Sequence, residues 1–564
     1  MLGLFFEVQR IEASGTIYIR ADGSIDPPTA PISTLDNVTY IFTDDINDSI
    51  VIERSNIIID GNGTTHQGSG FGSGFDLGVN NVTIKSTNIK NFSNGIFVHS
   101  SYLDVISGNN ITASGDRDIF LGAPSGYNSI SGNNIANSYE GICLDSSLGN
   151  SITENNITGN HVGILLDSSV DNDINGNDIT NNDGGIVLIY SDSNSVSGNT
   201  FVNDGLVVGD SDGSVVTGNL VNGKPLVYLE EVSDYAVKDA GQVILVKCNN
   251  VTVESLNLSN TDVGVELFET NNARISGNSI IANNIQGIEL DYSSNNSISG
   301  NNITDNYEGL FLGSSNYNNI SGNNVMNNSN IGIFLYSSSN NSISGNDLKK
   351  NVYGIWLDSS FGNKCHHNNF IDNTYQAYSS GEQNVWDDGY PSGGNYWSDY
   401  TGMDLHNGPF QNLTGSDGIG DSQYLPAFQN VDHYPLMGMF YDFNATSEYS
   451  VQTICNSSIS SFQFNGSSIS FNVTGDNGTS GFCRICIPKA LMNAPYKVYV
   501  NSTEVSYDLL PCSNETYSYL YFNYTHSTQE VIIISEFPSF LILPPFMIIS
   551  LLYVITRKRF ADKL

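Results

Sequence analysis

The chain has 564 residues, so more than one domain is expected. Lysine and arginine number 20 against 58 aspartates and glutamates, a formal charge of −38. That balance excludes the basic footprint needed to bind nucleic acid, and it disfavours acidic glycans unless cations bridge the like charges. Only 14% of residues are charged, so the polar surface must rest on Asn, Ser, Thr and Gly, while 39% hydrophobic residues at fixed spacing argue for a packed core.

The start, MLGLFF, is too short for the apolar core of a signal peptide, and Glu7 and Arg10 follow closely. Residues 1–14 are read as the remnant of an export signal. Asn-x-Ser/Thr sequons are dense, among them Asn37, Asn62, Asn81, Asn110, Asn257, Asn302, Asn412, Asn472 and Asn514, and they suit a glycosylated outer surface.

From residue 15 to 375 one phrase recurs. NSISGNNI from Asn128 returns as NSITENNI from Asn150, NDINGNDI from Asn172 and NSVSGNTF from Asn194, each 22 residues on. It resumes at Asn296, Asn318 and Asn341, and Asn363 continues the register. Such a period marks a solenoid. Apolar residues hold fixed slots: Ile130, Ile135, Ile142 and Leu144, then Ile152, Ile157, Ile164 and Leu166, and later Ile298, Ile303, Leu310 and Leu312. Pairs two apart mark one face of a strand, and the longer steps turn corners. The spacing predicts an all-β fold, a right-handed, single-stranded parallel β-helix with three short strands per turn and turns about 4.8 Å apart. Gly-Asn-Asn forms a corner, where Asn tolerates the left-handed conformation and can hydrogen-bond up the stack. Regularity breaks at 207–240, with a turn signal at Asn222-Gly-Lys224, and this stretch is expected as a hairpin-like insertion lying against the solenoid.

Residues 376–440 are rich in aromatics, Gly and Asp and are expected to form a cap. Residues 441–535 alternate like strands and read as a small β-sandwich. They hold four cysteines, for which Cys455–Cys483 and Cys486–Cys512 is the expected pairing outside the cell, one of three connectivities. Phe537 to Thr556 is a run of 20 residues without a charge, about 30 Å as a helix, followed by Arg557-Lys-Arg559. Residues 536–564 are therefore expected to form a single-pass transmembrane helix with a cytoplasmic C-terminus, holding the rest on the extracellular face.

Several passages together resemble the archaeal NosD-like β-helix proteins: GTIYIRADGSIDPP from Gly15, VNGKPLVYL from Val221, NVWDDGYPSGGNYWSDY from Asn384, GSDGIGDSQY from Gly415 and SEFPSF from Ser535. The likeness covers nearly the whole chain. It implies a β-helix, a periplasmic copper-binding role in maturing nitrous oxide reductase, and repeats akin to those of carbohydrate-binding proteins and sugar hydrolases. The tail resembles an archaeal C-terminal sorting signal.

Candidate chemistry sits on the outside of the coils. The residue between each paired core position points outward, giving Phe97, Phe120, Cys143, Leu165 and Val187, then Glu289, Phe311, Phe334 and Trp356. Such a ladder is either covered by another segment or is a platform for sugar rings, and Phe97, Phe120, Phe311, Phe334 and Trp356 are the expected ligand contacts. Beside it run Asp145, Asp167, Asp291 and Asp358, which cap corners or hold Ca²⁺. No Arg or Lys repeats beside them, which argues against a lyase. A pair of carboxylates beside the aromatic stripe would instead mark a glycoside hydrolase. Asp417 and Asp421, on a Gly-bent loop, are candidate Ca²⁺ ligands. Copper is implied by the resemblance alone, and Cys365 and His366 are its only dense soft-ligand run, although Cys365 falls in the core slot of Ile343. The sequence favours a cell-surface protein that binds neutral glycan or another envelope polymer. A structural envelope role, a hydrolase and a copper-binding factor are the alternatives.

Overall fold

The structure, a computed structural model, describes residues 15–535 apart from 113, 382 and 428. Their secondary structure is entirely β, and they divide into two units. The first holds the solenoid, residues up to 342 with 346–363 and 373–383, and the second holds 343–345, 364–372 and the chain from 384 on. Residues 1–14 and the expected anchor, 536–564, lie outside the described residues. Among those described, no helix is long and apolar enough to cross a membrane.

The solenoid is a right-handed parallel β-helix. One turn is built from the strands Ser129–Ser131, Asn134–Ala136 and Glu140–Asp145. The next turn stacks in the register expected from the repeat, Ile130 on Ile152, Ile135 on Ile157, and Ile142 and Leu144 on Ile164 and Leu166. All eight side chains are fully buried. Branched and γ-branched side chains recurring in the same slot fill a column of constant width, which is why one residue type can serve every turn.

The corners are held by polar columns. Asn155 donates from its backbone N–H and from Nδ2 to Asn177 Oδ1, both at 3.0 Å, and Asn177 does the same to Asn199 Oδ1 at 2.9 Å. Each Nδ2 also donates back to a core strand, Asn177 to the Ile152 carbonyl at 2.9 Å. The buried backbone groups that a corner strands are thus satisfied by one side chain per turn.

Residues 207–240 do not lie against the solenoid but build its walls. Leu206–Gly209 pairs in parallel with Gly184–Ile189 and ends a ten-stranded sheet. Leu220–Val221 then pairs antiparallel with Lys224–Glu230 across Asn222 and Gly223, whose φ values of 50° and 79° suit a tight two-residue hairpin. Lys224–Glu230 accepts Gln242–Val246 as a parallel neighbour, and Val263–Phe268, Gln286–Asp291, Glu308–Gly313, Ile331–Tyr336, Tyr353–Asp358 and Tyr375–Ser379 follow. These long strands continue the sheet that had held the short strands such as Asn134–Ala136. The hairpin therefore moves the long-strand wall from one face of the coil to another.

That switch leaves Leu206–Gly209 as an edge, and side chains close it. Gln242 Oε1 accepts from the Leu206 N–H at 3.0 Å, Glu266 Oε1 from Val208 at 2.9 Å, and Asp262 Oδ2 from Gly185 and Gly205 at 2.7 and 3.0 Å. An open strand edge is a template for aggregation, and here it is spent on acids and amides. A Cβ at Gly205 would collide with Thr261 Oγ1, so only glycine lets this seam close.

In the second unit, residues 439–535 form two five-stranded antiparallel sheets. Val451, Ile469, Phe471, Ile485, Val498, Leu520 and Ile533 belong to their shared core. The aromatic segment before it buries Trp386 and Trp397, whose indole N–H groups donate to Asn430 Oδ1 and Asp432 Oδ2, each at 2.9 Å.

Candidate functional site

Outward residues of successive long strands fall in register, but in two separate rows. In the first half Phe97 stacks on Phe120 at 5.1 Å, with the Arg117 guanidinium 4.4 Å above the Phe120 ring. The row continues through Cys143, Leu165, Val187 and Val207 and carries no further ring. The wall switch separates it from the second row, so Phe97 and Phe120 do not form one ladder with Phe311, Phe334 and Trp356. The single ladder read from the sequence is corrected on this point, because the repeat sets phase within each half and not across the hairpin.

The second row is the richer one. Read up the sheet it is Ile244, Glu266, Glu289, Phe311, Phe334, Trp356 and Tyr378. Ring centroids are 5.3 Å apart from Phe311 to Phe334, 6.0 Å from Phe334 to Trp356 and 4.5 Å from Trp356 to Tyr378. Tyr353 flanks Trp356 at 4.6 Å and stacks on Tyr375 at 4.8 Å. Six rings thus form one continuous surface, and its outer members remain open, Tyr375 at 54% and Tyr378 at 41% exposed. Sequence reading missed Tyr375 and Tyr378 because that turn has lost the Ile-x-Leu signature.

The lower end of the row is acidic. Glu289 and Asp291 stand two residues apart and leave the same face of Gln286–Asp291. Glu266 lies one rung below Glu289, is 3% exposed, and keeps one oxygen, Oε2, buried without a partner among the described residues. Burial, then the neighbouring carboxylate, pushes Glu289 up to about 8, and burial pushes Asp291 up to about 6. Glu266 is held well above the usual range by burial and by the Glu289 charge. All three acids are thus held above the ordinary carboxylate range, chiefly by burial.

The other expected sites are placed as follows. Asp145 and Asp167 stand in register one turn apart, and their Oδ1 atoms accept from the hydroxyls of Ser146 and Ser168 at 2.8 and 3.0 Å. Asp417 and Asp421 turn to separate donors: Asp417 Oδ1 accepts from the Ile419 N–H at 3.1 Å, and Asp421 Oδ2 from Leu405 and His406 at 3.0 and 2.9 Å. Cys365 is fully buried, and burial pushes its thiol up. His367 takes the corner position with φ 58°, and its ring stacks on Phe440 at 4.0 Å. His366 is half-buried with Nδ1 unpartnered among the described residues. Among the described residues no three His, Cys, Asp or Glu side chains converge on a point that could hold a metal, so this chain does not fit a copper centre at the Cys365–His366 run. Cys455 and Cys483 are opposite one another on neighbouring antiparallel strands, both fully buried. All seven cysteines are thiols in this structure.

A right-handed parallel solenoid bearing one long aromatic and acidic outer face is the class of protein defined here. The chain belongs to the family described as periplasmic copper-binding protein (NosD), whose model matches residues 28–183, 159–228 and 225–402, more than half its length. No curated protein matches it. Among solved structures it is similar to the Dettilon tailspike protein, at 14% identity over 88% of this chain and 86% of that one, with a TM-score of 0.27. It is similar also to DFA-IIIase from Arthrobacter chlorophenolicus, at 17% identity over 45% and 54% with a TM-score of 0.24. The periplasmic alginate epimerase AlgG matches at 14% identity over 59% and 76%, with a TM-score of 0.26. At such identities and scores these likenesses carry nothing about activity.

Proposed function

We propose that this chain is an exported protein of the cell surface that binds a neutral polysaccharide along the row from Phe311 to Tyr378. The observation that carries the reading is the continuity of six rings, Phe311, Phe334, Tyr353, Trp356, Tyr375 and Tyr378, with neighbouring centroids no more than 6.0 Å apart. An aromatic face buries a large area at low entropic cost and suits the apolar face of a sugar ring. Rungs about 4.8 Å apart offer such faces in series, as a linear polymer requires. The formal charge of −38 directs the choice to neutral chains over polyuronates.

The test is affinity electrophoresis through gels containing dextran, mannan or laminarin, with alginate as the anionic control. Retardation by at least one neutral polymer, lost in Trp356→Ala and kept in Phe97→Ala, is the expected result. Equal retardation of wild type and Trp356→Ala, or retardation by alginate alone, would overturn it.

A further inference from the structure

In the second unit, the strands Ser450–Cys455, Ser480–Pro488 and Tyr517–Thr525 lie side by side in one antiparallel sheet, and their side chains alternate between its faces. Cys483, Ile485 and Leu520 go to the shared core of the two sheets. On the other face Gln452, Cys486 and Tyr519 form one cross-strand row, and Ile454, Arg484 and Tyr521 form the next.

Arginine in that second row calls for an explanation. Arg484 is 2% exposed, and a guanidinium buried without a partner for its charge is costly. Its Nη2 donates to the Pro391 carbonyl, and its Cζ lies 5.1 Å from the centre of the Tyr519 ring. Nη1 is buried with no partner among the described residues. Asp417 feels the Arg484 charge, yet its carboxylate accepts from the Ile419 N–H at 3.1 Å and from Gln411 at 3.5 Å. One charged donor is left over.

Arg484 lines a cavity. With Ser392, Gln452, Cys486 and Tyr519 it bounds a chamber of about 10 Å³, the room of one oxygen-sized atom. Ser392, Gln452, Cys486 and Tyr519 also line a wider cleft of about 290 Å³, walled further out by Glu448, Tyr449 and Tyr517. Tyr449 and Tyr517 are open to solvent. The cleft is the mouth and the chamber is its floor. A volume of about 290 Å³ stands at the lower end of the range for small-molecule sites and suits a single ring. Tyrosines offer such a ring both a flat apolar face and a hydroxyl. A spare guanidinium donor at the floor asks for a carboxylate, its strongest hydrogen-bonding partner. Glu448 at the mouth disfavours a second negative charge on the same ligand.

We infer that this cleft is a second binding site, which takes a single ring bearing one carboxylate, with a carboxylate oxygen on Arg484 Nη1 and the ring against Tyr517 and Tyr519. It stands apart from the glycan row and does not depend on that reading. The formal charge of −38 does not forbid it, because salt screens distant charges beyond about 8 Å at physiological ionic strength, whereas the guanidinium acts at contact. Two sources share this chemistry: a uronic acid sugar and an aromatic acid.

The experiment is calorimetric titration of the full chain, backed by saturation-transfer NMR, at physiological ionic strength. The probes are glucuronate and 4-hydroxyphenylacetate, each beside its neutral counterpart, glucose and 4-hydroxyphenylacetamide. At least one acid should bind, and about tenfold or more tighter than its counterpart, the scale of a hydrogen bond between charged groups. Which acid binds names the source. Tyr517→Ala should weaken that acid about threefold or more, the scale of one aromatic contact. Arg484→Gln should erase the preference for the acid, and Trp356→Ala, in the glycan row, should change nothing. Circular dichroism checks each variant. Should Arg484→Gln fail to fold, the comparison of acid with neutral probe and the Tyr517→Ala titration decide the matter without it. Binding of neither acid, equal binding of an acid and its counterpart, or an acid affinity indifferent to Tyr517→Ala overturns the inference.

Discussion

Replacing Asn177 by alanine removes one rung from a buried column, and the structure fixes what is lost. Asn177 Oδ1 accepts from the Asn155 backbone N–H and from Asn155 Nδ2, while its own Nδ2 donates to the Ile152 carbonyl and to Asn199 Oδ1. Asn199 Oδ1 keeps the Asn177 backbone N–H, so it stays satisfied. Two donors are orphaned, the Asn155 N–H and one Asn155 amide hydrogen, while the Ile152 carbonyl loses its second donor but keeps its place in the parallel ladder with Asp173–Asn175. Each buried orphan costs about 1–3 kcal/mol, so Asn177→Ala should cost about 2–4 kcal/mol once partial relaxation is allowed. Because each coil contacts only its neighbours, the loss should be local. Hydrogen exchange read by mass spectrometry should show faster exchange in peptides covering 150–200 and little change near 300, and the urea midpoint should fall. Asn156→Ala is the control, since that residue is exposed and holds one bond of 3.3 Å to Asn134, and it should change stability by less than about 0.5 kcal/mol. Equal effects from the two substitutions would refute the account of the corner.

Other expectations follow from the seam and the sandwich. Asp204 and Glu289 are pushed up to about 8, and Asp262 and Asp291 to about 6, mainly by burial. A raised carboxyl contributes stability that is full below its ordinary value near 4 and is lost as pH rises through the folded value. The solenoid should therefore melt at lower temperature at pH 8 than at pH 5, and Asp204→Asn should reduce that difference; a melting temperature that rises over the same window refutes the assignment. Gly205→Ala should destabilise the junction through its clash with Thr261, measured as new protease cleavage between 205 and 262. We propose that Cys455 and Cys483 join as a disulfide under oxidising conditions. Non-reducing peptide mapping should then recover a linked 455–483 peptide, and free thiols at both positions after air oxidation would count against it. Metal analysis after dialysis against Cu²⁺ should give the same copper content for wild type and Cys365→Ala, whose side chain is sealed in the core.

The coil was legible in the sequence because a solenoid core repeats its demands. Ile130, Ile152 and Ile174 occupy one environment three times over, and the spacing alone gives their register. The change of wall was not legible. A 22-residue period is blind to a rotation between two periodic blocks, and the Asn222–Gly223 turn announces a hairpin without saying which sheet receives the next strand. The site suffered accordingly: Phe311, Phe334 and Trp356 were found, but they were joined to the wrong neighbours. Glu266 was missed because its turn lacks the Asn-Ser-Ile phrase that marks the others. Asp417 and Asp421 looked like ligands because acids on a bent loop suit calcium, yet the same acids suit backbone N–H groups, and the donor His406 lies too far off in sequence to be anticipated.

The asparagine columns also have a direction. From Asn109 through Asn133, Asn155, Asn177 and Asn199 to Asn219, every rung donates twice toward the C-terminal turn and receives on its oxygen from the N-terminal one. The amide dipoles add in a line, so each rung polarises the next. A chain that emerges N-terminus first builds such a column from its donor side. The last finished turn always presents two unmet N–H groups per corner, and the turn arriving next carries the oxygen that answers them. Where the slot holds Leu256 or Ala273 the side chain can answer no donor from the turn before, and the column begins afresh with the backbone N–H of that residue donating to Asn278 or Asn296.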